Sequence, residues 1–95
     1  MNKELERINE ISKNMFYNSI KSFNQLKQLE MIIINIKIAV ARLGDNPEAK
    51  ALSTTGDIIH RSLVELEQAT KYIRDAGKEI GELVRLLNEM EENNE

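Results

Sequence analysis

The 95 residues predict an all-α protein, a long antiparallel two-helix hairpin with a short helical turn in its connection. Three observations carry this expectation. Both halves of the chain hold rows of uncharged residues that recur every seven positions, and a single cluster of turn-forming residues separates the halves. The composition supplies the third: 41 % apolar and 31 % charged residues, one Pro, four Gly and no Trp. That balance suits an aliphatic helical domain better than a sandwich, a barrel or a disordered chain.

Helix 1 is expected over about 3–43. Leu5, Ser12, Ser19, Leu26, Ile33 and Val40 fall on one heptad position, and Ile8, Met15, Ser22, Leu29, Ile36 and Leu43 fall three residues later. Gly44 suits the left-handed position just past a helix end, with Arg42 in the last turn. In "DNP" a capping residue precedes Pro47, which fits a first helical position. A short turn over 47–52 is expected next, because Ser53 to Asp57 is a run of poor helix formers and Thr54 and Asp57 have the spacing of a second capping box. Helix 2 then runs over about 55–91, followed by a polar tail at 92–95. Its rows are Leu52, Ile59, Leu66, Ile73, Ile80 and Leu87, and Thr55, Ser62, Ala69, Ala76, Leu83 and Met90. Two charge-free arrays in one short chain read as coiled-coil helices packed along a seam.

The arrays also suggest a register. With Leu43 opposite Ile59, Ser19 meets Leu83 and Ser12 meets Met90, so each small residue faces a large one and the layers fill evenly. A shift of one heptad puts Leu43 against Leu52 and leaves Ser19 against Ala76, a layer that neither side fills.

One stretch exceeds what a single seam requires. "MIIINIKI" presents Met31, Ile34 and Ile38 on a flank of helix 1 that helix 2 does not cover, with Ile20 on the same face and Phe16 and Phe23 on its shoulder. A contiguous apolar flank on a helix marks an interface. These six residues are the expected partner surface, for a homodimer or a helical protein partner that completes a four-helix bundle. The competing expectation is that Pro47 to Leu52 folds back over the stretch as a lid.

Catalytic and ligand chemistry find little support, and the chain is expected not to be an enzyme. Without Cys there is no thiolate nucleophile and no zinc–thiolate site. His60 has Asp57 three residues earlier, but both are expected to point away from the seam into solvent, so neither a metal site nor a cofactor is expected. Acidic residues lie outside the seam or in the tail, away from any shielded cleft. A net charge of −3 argues against nucleic acid. The basic residues of helix 2 are spaced to pair with acids four residues on: Arg61–Glu65, Lys71–Asp75, Lys78–Glu82 and Arg85–Glu89. No small-molecule substrate is indicated. No run of about 20 apolar residues predicts membrane insertion. The expected location is cytoplasmic when made, with export possible without a cleaved signal peptide.

In its length, its two long antiparallel helices and its polar C-terminal end, the chain resembles the WXG family of type VII secretion proteins. It is also similar to the small helical accessory proteins encoded beside LXG toxins in Firmicutes. The family's Trp-x-Gly has no counterpart, since there is no Trp. Its Tyr-x-x-x-Asp/Glu export motif is approached only by Tyr72, which is followed by Asp75 three residues on. The resemblance implies a bacterial, non-catalytic binding protein: a secretion accessory, or a co-secreted partner or chaperone of a toxin, with Tyr72 and Asp75 as a possible export signal. A second expectation, of another class, is a small bacterial or phage regulator or immunity protein that acts by docking on a target protein.

Overall fold

The computed structural model describes residues 2–94 and is all-α, two helices in a hairpin. Helix α1 runs Lys3–Ala41 and α2 runs Pro47–Asn93. Each start is capped by an asparagine. The Asn2 side-chain oxygen accepts from the Leu5 N–H at 2.8 Å, and that of Asn46 accepts from the Ala49 N–H at 2.8 Å. Both satisfy donors that a helix start leaves open. Gly44 has φ +89° in the turn after α1, a conformation that side-chain-bearing residues rarely adopt. Helix α1 ends two residues earlier than the heptad rows suggest, so Arg42 and Leu43 belong to the turn.

The expected short turn at 47–52 and the new start near 55 do not exist: these residues are the first turns of an unbroken α2. The reason is tertiary. Gly56 is buried against α1, where an added Cβ would stand 3.2 Å from Lys37 Cγ. Ser53 lies half-buried one turn before it. Residues that look like helix breakers are small because a second helix passes close, and that packing offsets their modest propensity cost of about 1 kcal/mol or less each.

The chain divides into two compact units. The first takes α1 up to Ser22 and α2 from Thr70, and the second is Phe23–Ala69. In the first unit, buried Leu5, Ser12 and Ser19 of α1 share the seam with Gly77 and Val84 of α2. Gly77 lies so near α1 that an added Cβ would meet Ser12 O at 3.1 Å and Phe16 N at 3.2 Å. The buried hydroxyls stay satisfied by their own helix, Ser12 Oγ donating to Asn9 O at 2.8 Å and Ser19 Oγ to Phe16 O at 2.6 Å. Asn2 donates to Glu91 at 2.9 Å, which confirms the antiparallel sense at this end. In the second unit Val40, Ala49 and Leu63 are buried.

This register differs from the one that matches small against large residues. Ser12 stands by Gly77 and Gly81 rather than Met90, and Lys37 stands by Gly56 and Asp57. The observed register is shifted by about one heptad and lies near the alternative that put Ser19 beside Ala76. Leu83, expected in the seam opposite Ser19, is exposed. Closeness of the helices resolves the apparent defect. Small rows on both sides need no large residue to fill the layer when the backbones themselves meet.

Candidate interaction face

The seam uses only one of the two rows anticipated on α1. The Leu5–Val40 row is buried or half-buried at every member, and its companion is the row four residues on: Asn9, Phe16, Phe23, Glu30 and Lys37. On α2 the seam rows are Ala49, Gly56, Leu63, Thr70, Gly77 and Val84, with Ser53, His60, Glu67, Arg74, Gly81 and Asn88. Neither anticipated row of α2 is among them.

The leucines and isoleucines assigned to the seam are therefore largely left outside it. In the second unit Leu29, Ile36, Leu52 and Ile59 are 40 to 51 % exposed, with Ile32 beside them. In the first unit Ile8, Ile73 and Leu87 are exposed to a similar degree, and Leu83 and Met90 more so. On both helices these rows precede the seam row by one residue, on its same angular side in an antiparallel pair. Both helices thus contribute to one face in each unit. A shallow groove lined by Ile11, Met15, Ser22 and Ile73 shows this directly in the first unit.

The six residues expected to form the partner surface divide. Met31, Ile34 and Ile38 are exposed on α1, and α2 residues 47–52 form no lid because they are helical. Phe16, Ile20 and Phe23 are half-buried. Phe16 makes an edge contact with Tyr17, ring centroids 5.5 Å apart, and Phe23 lies under Lys27 with Nζ 5.6 Å from the ring centre. Phe16 and Ile20 border a groove with Arg74, Gly77 and Gly81, open because the two glycines carry no side chain. Tyr72 projects into solvent, and Asp75 accepts from its neighbour Arg74 at 3.3 Å.

The charged groups also differ from expectation. His60 does not face solvent freely: its Nε2 lies 3.3 Å from Glu30 Oε1 across the seam. Lys27 Nζ donates to Glu30 Oε2 at 3.3 Å and to Glu67 Oε2 at 3.1 Å, and the Glu67 side chain is 8 % exposed with Oε1 lacking a partner. Acids therefore do occupy core-facing positions. Hydrogen bonding with the Glu67 carboxyl, then with His60 and Lys27, holds the Glu30 carboxyl down at about 2 from its ordinary 4.5. Lys37 pairs with Asp57 at 2.6 Å and holds that carboxyl below its usual range. Of the four pairs spaced by four residues on α2, only Arg85–Glu89 closes, at 2.7 Å. Arg74 turns inward to the seam row.

Chemically, this cluster is a set of mutually compensating charges rather than a ligand cage. Among the described residues no three of His, Cys, Asp and Glu are arranged to hold a metal ion. Among the described residues no helix is long and apolar enough to cross a membrane. No known protein family matches the chain, and neither a curated protein of similar sequence nor a solved structure matches it.

Proposed function

We propose that this chain is a non-catalytic helical interaction protein that works by docking an apolar face against another helical surface. One observation carries the reading: in each unit, rows of Leu and Ile from both helices lie outside the seam. Covering the exposed half of each such side chain contributes about 1 kcal/mol, so a row of them is a substantial driving force for association. Scattered apolar residues on a surface mean little, whereas a face repeated every seven residues on two helices matches the spacing of a third and fourth helix.

We also propose a particular setting, a WXG-like accessory or co-secreted partner of a type VII secretion toxin, which rests on the sequence resemblance alone. Co-expression with helical proteins encoded beside its gene tests the docking role. A complex that forms with the native chain and is lost with Ile36→Glu plus Ile59→Glu, while helicity is unchanged, is the expected result. Failure of these substitutions to weaken any complex would refute docking through this face. The secretion setting is tested separately. Tyr72→Ala or Asp75→Ala lowers the amount of chain in the culture medium, and unchanged export of a stable variant removes both residues from that role.

A further inference from the structure

We infer that the groove beside Gly77 and Gly81 is a binding site for a small organic anion with a flat apolar body, such as an aryl carboxylate. It lies wholly in the first unit, on the side of the seam away from Ile11, Met15 and Ile73, so it does not depend on the docking face. The first support is shape. The groove holds about 500 Å³, within the roughly 300–1,000 Å³ of small-molecule sites. Phe16, Tyr17 and Ile20 of α1 supply its apolar wall, and the two glycines leave the backbone of α2 bare as its floor.

The second support is Gly81 itself. Gly77 has a packing reason to be glycine, since a Cβ there would stand 3.1 Å from Ser12 O. At Gly81 a Cβ would meet only Ser12 Oγ, at 3.5 Å, an ordinary contact. Glycine inside a helix is less stable there than alanine, so packing alone favours a side chain at this position. What glycine provides is room in the groove, as expected of a residue kept for a site rather than for stability. The third support is charge. Lys13 of α1 and Lys78 of α2 line the groove from either helix, both exposed. Neither takes part in an ion pair among the described residues, although Glu10 and Glu82 stand one turn away on the same helices. Arg74 and Asp75, the other charges in the lining, satisfy each other at 3.3 Å. The lining is therefore cationic on a chain whose net charge is −3. An ammonium on each side of an apolar wall suits a carboxylate whose ring lies on Phe16 and Ile20: charge-assisted hydrogen bonds fix the head, and burial holds the body.

Titration of the purified full-length chain with para-phenylbenzoate, followed by amide chemical shifts in nuclear magnetic resonance, tests this. Saturable shifts at Phe16, Tyr17, Gly77 and Gly81 are expected, and the neutral para-phenylbenzamide binds roughly tenfold more weakly. Lys13→Gln with Lys78→Gln weakens the acid roughly tenfold and leaves the amide unchanged. Gly81→Leu fills the floor without touching Gly77, and abolishes binding of both at unchanged helicity. Ile36→Glu with Ile59→Glu, which tests the docking face, leaves binding intact. Equal affinity for acid and amide, or indifference to the lysine substitutions, overturns the anion. Shifts confined to Ile11, Met15 and Ile73, or undiminished binding by Gly81→Leu, overturn the groove as the site. No response to para-phenylbenzoate, with the groove amides shifting instead on addition of the peptide Asp-Phe-Asp, overturns the small ligand and gives the groove to an acidic partner protein. No response to either overturns the site altogether.

Discussion

Two glycines one turn apart in α2 should respond to the same substitution with opposite signs. Gly77 and Gly81 both sit in a helix, where replacing Gly by Ala stabilises by up to about 1 kcal/mol through propensity alone. At Gly81 the new methyl would meet Ser12 Oγ at 3.5 Å, an ordinary contact, so Gly81→Ala should gain most of that amount. At Gly77 it would meet Ser12 O at 3.1 Å, Phe16 N at 3.2 Å and Met15 Cβ at 3.3 Å. Two of these are main-chain atoms and cannot rotate aside, so α1 must move off by a few tenths of an ångström. Overpacking of this kind costs about 1–3 kcal/mol, which outweighs the propensity gain. Gly77→Ala is therefore destabilising by about 1 kcal/mol, and the two variants differ by about 2 kcal/mol. Urea unfolding followed by far-ultraviolet circular dichroism reads this as shifts of the midpoint in opposite directions at constant slope. Protein concentration is held fixed, since association adds its own stability. Equal stabilisation by both alanines would refute the close approach of the helices at Gly77, and with it the register.

Acid should weaken the fold through Glu30. Its carboxyl is depressed to about 2 in the folded chain from 4.5, so the stability it contributes is complete above 4.5 and is lost as pH falls from 4.5 toward 2. Thermal melting through that interval should show a steeper fall for the native chain than for Glu30→Gln, and superimposable pH profiles would contradict the cluster. Lys27→Met removes the ammonium that donates to the buried Glu67 side chain and should destabilise more than Lys27→Met with Glu67→Met, in which no buried polar group is left without its partner. Urea midpoints check the order, and a double variant weaker than the single one would reverse it.

Helix content, the turn at Gly44 and the antiparallel sense were legible in the residues, because they follow from short-range effects. Asn46 caps, Pro47 starts a helix, Gly44 takes a positive φ, and seven-residue spacing marks helical faces whatever they touch. The choice of face was not legible. Periodicity reports which residues share a side of a helix, and the apolar rows at Leu29, Ile36, Leu52 and Ile59 were the natural candidates for the seam. The row of Leu5, Ser12, Ser19 and Val40 does lie in the seam as its spacing suggested, but tertiary packing set Gly56 and Gly77 against it, since small residues let backbones approach and gain contact from main-chain atoms that no sequence pattern counts. The same close approach kept α2 helical through Ser53 to Asp57 and drew His60, Glu30 and Glu67 into a charged cluster. The heptads determined by themselves that two broad apolar surfaces exist. Which surface meets the other helix and which is left exposed was decided by how near two backbones can come.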